Sequence, residues 1–211
     1  MIALTSKENI SIFIIWLFIA CAVIGIQMGY EDWFLSLSPL NLILFLGLII
    51  WNTPYPMNLV IVMFIPFIIG ILVEYLGVNF GLIFGEYEYG ENLGFKIAGV
   101  PLMIGVNWVI LTYCSASIAR RVTSRAWIVA GIASLLMVLL DLIIEIAAPA
   151  MDYWEFEGGQ VPLQNYIGWF GTSFIAHLLF QKWNKYHNLK ISIHILSAML
   201  MFFIAFIYLK L

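Results

Sequence analysis

The sequence predicts an all-α integral membrane protein, a bundle of about seven transmembrane helices that forms a single domain over residues 1–211. The first observation is composition: 64% of the 211 residues are hydrophobic and 10% are charged, far from the balance of soluble domains. The second is that almost the whole chain divides into apolar runs near the length of about 20 residues that spans a bilayer. The third is a short pattern that occurs twice, which indicates a weak internal parallel repeat. The predicted spans are 10–28, 36–51, 57–77, 101–119, 126–148, 162–180 and 191–209.

The first run, 10–28, has features of both a signal peptide and a membrane anchor. Its first half has the length of a signal h-region, and the small residues at 20–22 resemble a cleavage site. However, the apolar run continues beyond them, and Glu8 stands beside Lys7 in the leading segment. We therefore expect a retained anchor.

The second run, 36–51, is short for a span and contains Pro39 and Asn41. A tilted or re-entrant segment fits these features as well as a full span does, in which case the chain has six spans.

Basic residues predict the orientation. Arg120, Arg121 and Arg125 occupy one short loop, while Lys182 and Lys185 lie in another. By the positive-inside rule both loops are cytoplasmic, which places the amino terminus inside. The net charge of −3 leaves no basic surface for nucleic acid.

The repeated pattern has three parts. An aromatic-Glu-aromatic triplet occurs at 87–89 and again at 154–156. Each triplet is followed by Val-Pro-Leu and then by a tryptophan inside the next span, Trp108 in the first copy and Trp169 in the second. Because two spans separate the copies, both triplets are predicted to lie on the outer face.

Several polar groups are expected at one depth of the membrane. Glu74, Asp141 and Glu145 are carboxylates within apolar runs, and Asn107 and Asn165 lie near the outer starts of their spans. With a rise of about 1.5 Å per residue, all five fall in the same outer layer. Ionisable groups in such positions indicate a functional site.

Asp141 and Glu145 are four residues apart and share one helix face. Two carboxylates this close in an apolar environment do not both ionise cheaply, so one is expected to hold a proton and to act as a general acid. The structural alternative is a hydrogen bond in helix packing, or acids that reach interfacial water.

Aromatic residues surround the same layer, and their ring faces can stabilise a cation. The competing interpretation is the aromatic belt that membrane proteins carry at the interface. The residues predicted to bind substrate, in addition to the two asparagines, are Phe84, Tyr87, Tyr89, Trp108, Trp154 and Trp169.

The sequence contains no motif that is typical of a cofactor-dependent enzyme. Three histidines do not provide the ligand set of a di-iron oxygenase, and no dinucleotide fingerprint occurs. We therefore predict no metal and no cofactor. The chemistry that is left uses only acids, water and aromatic ring faces, and it acts on a lipid-soluble substrate.

Two stretches resemble the carotenoid hydratase family of bacteria and archaea. One runs from Glu74 to Trp108 and includes 84–89 and 99–102, and the other runs from Asp141 to Trp169. From the start of the first to the end of the second they extend over 74–169, about half of the chain. Phe156 stands where that family often has a second tryptophan.

The resemblance implies a cofactor-independent enzyme that adds water to the terminal double bond of an acyclic carotenoid end and forms a tertiary alcohol. In this mechanism Asp141 protonates the double bond, the tryptophans stabilise the cation, and Glu74 or Glu145 positions water. The resemblance also implies the bacterial or archaeal cytoplasmic membrane as the location. Expected partners are the carotenoid, the bilayer and other carotenoid enzymes. The alternatives are a carotenoid end-group cyclase, which shares the first step, and a proton-coupled transporter.

Overall fold

The computed structural model describes residues 2–210, and its architecture is a bundle of helices with four very short strands. The helices are α1 (Ile2–Gln27), α2 (Glu31–Ser36), α3 (Ser38–Trp51), α4 (Pro56–Phe80), α5 (Leu102–Ala119), α6 (Ala126–Ala147), α7 (Leu163–Trp183) and α8 (Leu189–Lys210). The strands are β1 (Tyr87–Tyr89), β2 (Lys96–Ile97), β3 (Val100–Pro101) and β4 (Trp154–Phe156). The prediction of an all-α membrane bundle is confirmed.

Every predicted run corresponds to a helix, but five helices are both long and apolar enough to cross a membrane: α1, α4, α5, α6 and α8. The helix α3 is apolar but has 14 residues, about 21 Å at 1.5 Å per residue, which agrees with the short second run. The helix α7 has 21 residues, and polar side chains line its buried face. Whether α3 and α7 complete seven spans stays a prediction.

The helix α5 lies at the centre of the bundle. It contacts α3, α4, α6, α7 and α8, and most of its residues are buried. Small residues such as Ser115 and Ala116 let the neighbours approach closely. The helix α1 packs on α8. Residues placed at the start of α5 therefore lie in the middle of the molecule at one end of the bundle.

The two aromatic-Glu-aromatic triplets pair with each other. They form β1 and β4, which are antiparallel, with Tyr87 opposite Phe156 and Tyr89 opposite Trp154. Because β1 follows α4 and β4 follows α6, the carboxyl ends of these helices meet at the same end of the bundle. The pairing agrees with the expectation that both loops lie on one side, while the choice of the outer side stays a prediction.

A glycine makes the turn from α4 towards β1 sharp. Gly81 has φ of 64°, a left-handed conformation that favours glycine, and its N–H donates to the carbonyl of Gly77 at 2.8 Å. The chain then turns back over the end of α4 and brings β1 above Glu74.

Candidate functional site

Glu74 accepts three hydrogen bonds in the interior of the bundle. The hydroxyls of Tyr87 and Tyr89 donate to its Oε2 at 2.5 and 2.7 Å, and Trp108 Nε1 donates to its Oε1 at 3.0 Å. Glu74 is 3% exposed. Both oxygens therefore have donors, as a buried carboxylate requires.

Two glycines of α4 make room for these donors. A Cβ at Gly77 would lie 2.7 Å from the Tyr87 hydroxyl oxygen, and a Cβ at Gly70 would overlap the ring of Trp108. Because the glycines flank Glu74 on the same helix face, one turn away on each side, they leave the carboxylate open to the aromatic side chains.

The tyrosines of β1 are held as donors. Burial, followed by the negative charge of Glu74, raises the pKa of Tyr87 and of Tyr89 above the ordinary value for tyrosine. Their hydroxyls therefore keep their protons throughout the physiological range. Each can donate one hydrogen bond, and both donate to Glu74.

A second group of carboxyls lies on α6 and is bridged by one amide. Asn165 Nδ2 donates to Asp141 Oδ2 at 3.1 Å and to Glu145 Oε1 at 3.0 Å. Trp154 Nε1 donates to Glu145 Oε2 at 2.9 Å. Both hydrogens of the amide are used, so Asn165 fixes the two carboxyls relative to each other.

The repeated tryptophans stack face to face. The ring centroids of Trp108 and Trp169 are 4.6 Å apart and the planes are 6° from parallel. Phe84 lies against Trp169 with centroids 6.1 Å apart. Trp108 is fully buried, and Trp169 lines the same small pocket as Glu74 and Glu145.

A small polar chamber separates the two groups of carboxyls. Its volume is about 20 Å³, enough for roughly one water, since a water needs at least about 10–15 Å³ by this measure. The chamber is lined by Glu74, Phe84, Tyr87, Tyr89, Ile104, Asn107, Glu145, Trp154, Phe156, Asn165 and Trp169. Asp141 lies behind Asn165.

A larger apolar cavity of about 300 Å³ adjoins the chamber. It lies between α1, α2, α3, α5, α6 and α8, and Ile104, Asn107 and Trp154 line both spaces. Its walls are mainly hydrocarbon, from residues that include Leu17, Phe18, Phe45, Leu93, Met199 and Phe203. The arrangement can hold an apolar chain with one end at the polar chamber.

All of the site residues predicted from the sequence lie at this end of the bundle. Asn107 lines both spaces, and the other ten line the chamber or contact a residue that does. Their chemical roles stay predictions. Within residues 2–210 no group of three His, Cys, Asp or Glu side chains is placed to hold a metal ion.

Several residues of the apolar cavity were not predicted from the sequence. Ile104 lies one turn before Asn107 on α5, and that spacing was a usable signal. Ser38, Asn41 and Tyr153 also line the cavity. They come from segments outside the repeated pattern, and only the folded chain brings them together.

Comparisons with known proteins agree with this picture. The model of a family described as "Carotenoid biosynthesis protein" matches residues 36–211. A curated protein of Haloarcula japonica named bisanhydrobacterioruberin hydratase is 29% identical over 121 residues, which are 51% of this chain and 40% of that protein. The chain therefore spans well under two thirds of that relative. No solved structure matches the chain.

Proposed function

Since the chain belongs to the family of carotenoid biosynthesis proteins, we propose that it is a membrane hydratase that adds water to the terminal double bond of a carotenoid end group. The observation that carries the proposal is the polar chamber of about 20 Å³, with a carboxyl group on either side, opening beside an apolar cavity of about 300 Å³. The relative named as a hydratase supports the same reaction.

The substrate fits the two spaces by its chemistry. A polyene is hydrocarbon and gains free energy when it leaves water for an apolar wall. Its reacting end would pass Ile104 and Asn107 and reach the chamber that Glu145 lines. Water held in the chamber would meet the double bond there, away from the bulk solvent.

The proton is supplied by Asp141 and Glu145. Because Asn165 holds the two carboxyls close together, their negative charges would repel each other, and the pair keeps one proton. Glu145 lines the chamber and delivers the proton to the less substituted carbon of the double bond, which forms a C–H bond. Asp141 is the second carboxyl of the pair, and its negative charge favours the protonated form of Glu145.

The tertiary cation that results lies against the aromatic faces. Trp169 lines the chamber, and its stacking on Trp108 at 4.6 Å fixes the ring. A ring face lowers the energy of a cation at the moment when the charge develops.

The chamber water then attacks the cation and forms the C–O bond. Glu74 accepts the proton that this water loses, and three donors hold its carboxylate in place. Return of that proton to the Asp141–Glu145 pair completes the cycle, so the net change is the addition of one water. No cofactor enters this scheme.

A cyclase would share the first proton transfer and then close a ring, which needs a dry pocket. The carboxylates and the amide around the chamber favour water, and therefore the alcohol. A transporter would use the same acids as a proton relay but would leave the carotenoid unchanged.

The test is expression in a host that makes lycopene or γ-carotene, followed by mass spectrometry of the pigments. A product heavier by one water supports the hydratase. A product of unchanged mass with a shifted absorption spectrum indicates the cyclase, and unchanged pigment contradicts both. Glu155→Gln is the matched control, because this side chain is exposed on β4 next to Trp154.

We place the enzyme in the cytoplasmic membrane of a bacterium or archaeon, with its amino terminus in the cytoplasm and the β1–β4 ribbon outside. The positively charged loop after α5 supports this orientation. The lipophilic substrate would enter from the bilayer, and neighbouring carotenoid enzymes are the expected suppliers.

A further inference from the structure

The end of the bundle opposite the chamber carries an excess of positive charge. The connection between α5 and α6, together with the end of α7 and the loop after it, holds the basic residues Arg120, Arg121, Arg125, Lys182 and Lys185. Glu8 is the carboxylate at this end, and it lies 3.9 Å from Lys190. The ion pairs among the described residues involve other cations, so these basic side chains lack a carboxylate partner there.

Gln181 holds Arg120 beside the start of α6. Arg120 Nη2 donates to Gln181 Oε1 at 3.4 Å, and Gln181 Nε2 donates to the carbonyl of Ala126 at 3.4 Å. The helix α6 begins at Ala126 without a side-chain cap and without an acidic residue in its first turn. The positive end of the helix dipole therefore lies next to the guanidinium.

His187 approaches Arg120 from the loop between α7 and α8. Its imidazole lies against the ring of Tyr113, with centroids 6.5 Å apart. Burial, followed by the positive charge of Arg120, lowers the pKa of His187 to about 4. The imidazole is therefore neutral at pH 7, and the positive charge of Arg120 stands beside it.

Both side chains have nitrogen atoms without partners. Arg120 Nε and His187 Nε2 are buried and have no hydrogen-bond partner among the described residues. A charge that is withdrawn from water without a counter-ion is unfavourable. Because Arg120 and His187 are only partly buried as whole residues, a ligand at the surface can reach the guanidinium. An anion would bring both acceptors and the missing negative charge.

We propose that this end of the bundle binds the phosphate group of an anionic phospholipid, with Arg120 as the main contact and with His187 and the first turn of α6 beside it. A guanidinium can donate two parallel hydrogen bonds to a phosphate, and the start of a helix favours a phosphate. Basic pockets between membrane helices bind anionic headgroups in this way. The inference goes beyond the proposed reaction and does not depend on it.

Exposed tryptophans favour a lipid over a soluble phosphate. Trp127 lies in the first turn of α6 and is 63% exposed, and Trp183 is the last residue of α7 and is 61% exposed. Tryptophan is enriched at the depth of the headgroups. Since Arg120 lies beside the start of α6, its guanidinium is near the level of the lipid phosphates.

The test measures lipid binding to the full chain in detergent by native mass spectrometry. Phosphatidylglycerol and phosphatidylcholine with the same acyl chains are added in increasing amounts. We expect wild type to bind phosphatidylglycerol about tenfold more tightly, since hydrogen bonds to charged groups contribute at least this much and choline offsets the phosphate charge. Inorganic phosphate is added alone in a parallel series, with thermal unfolding as the readout.

Variants locate the site. Arg120→Gln should lower the affinity for phosphatidylglycerol about tenfold, while its amide can still contact Gln181. Arg120→Lys should lower it less, because it keeps the charge and loses the planar fork. Arg121→Gln is the matched control, since it removes the same charge at the next, exposed position, and it should stay near wild type.

Equal affinity of wild type for the two lipids overturns the inference. Equal losses in Arg120→Gln and Arg121→Gln overturn it as well, because general attraction to a basic surface would then explain the binding. Stabilisation by inorganic phosphate that Arg120→Gln abolishes, without a preference for phosphatidylglycerol, overturns the assignment to a lipid. The ratio of the two lipid affinities is measured within each variant, so reduced folding of Arg120→Gln does not imitate the expected result.

Discussion

Replacing Asp141 by asparagine separates the chemistry of the site from its packing. The structure gives Asp141 one described donor, Asn165 Nδ2 at 3.1 Å from Oδ2. The carbonyl oxygen of an asparagine side chain can still accept that bond. The variant therefore keeps the contact and loses the negative charge that favours the protonated form of Glu145.

The expected loss follows from this difference. A positioned acid or base contributes about 10²–10⁴-fold to a rate, so turnover of Asp141→Asn should fall by that factor. One hydrogen bond changes from a charged to a neutral acceptor, which costs about 1 kcal/mol of stability. Insertion and folding should therefore be nearly normal.

Changing Glu145 or Glu74 to glutamine should lower the stability of the protein more than Asp141→Asn does. Glu145 accepts from two donors and Glu74 from three. An amide places an NH₂ against at least one of these donors, and a buried donor left unpaired costs about 1–3 kcal/mol. We expect the free energy of unfolding to be lowered least by Asp141→Asn, more by Glu145→Gln and most by Glu74→Gln.

The assay measures carotenoid conversion in isolated membranes by mass, divided by the amount of folded protein, and thermal unfolding in detergent gives the stability order. Glu155→Gln serves as the exposed control. Near-normal turnover of Asp141→Asn combined with an inactive Glu145→Gln would show that Glu145 acts without Asp141 and would refute the pair. Near-normal turnover of all three variants would make the carboxyls structural.

Four further results are expected. Tyr89→Phe removes one of the two hydroxyls that donate to Glu74 Oε2. Turnover should become about tenfold slower, which corresponds to about 1.4 kcal/mol of activation free energy, and Tyr87→Phe is the comparison. Trp169→Phe should retain more activity than Trp169→Leu, because a cation needs a ring face; equal losses would contradict this. Activity should survive chelation and the absence of oxygen and nicotinamide; its loss on chelation and return with one metal would refute the acid-base scheme. Cysteines placed at Arg121 and Glu155 should react from opposite sides of the membrane.

Much of the site could be predicted from the sequence because carboxylates are costly in apolar helices and appear there for a reason. The repeat identified the tryptophans, and hydropathy identified Glu74 and Asp141. What sequence reasoning could not supply is the partner of each group. Trp108 donates to Glu74, whereas Trp154 donates to Glu145. These pairings depend on the packing of α4, α5 and α6.

The apolar cavity was beyond sequence reasoning for a related reason. Its walls come from six helices, and hydrocarbon residues that line a cavity have the same composition as those that face lipid. Asn41 was noted in the sequence as an irregularity of a short span. Its position beside Tyr153 depends on the fold around residues 148–153, where the chain folds back between α6 and β4.

The repeat places one carboxyl of each copy in an equivalent position, although the two carboxyls have different proposed roles. Glu74 lies 13 residues before Tyr87, and Asp141 lies the same distance before Trp154, so these carboxyls occupy equivalent places in the two copies. The antiparallel register of β1 and β4 and the stacking of Trp108 on Trp169 fit an approximate twofold relation between them. The two halves nevertheless differ where chemistry requires it. Tyrosine hydroxyls satisfy Glu74, whereas Asp141 shares an amide with a second carboxyl, Glu145. A duplicated scaffold thus supplies two acids in related geometry, and the surrounding side chains let one act as base and the other as part of the acid.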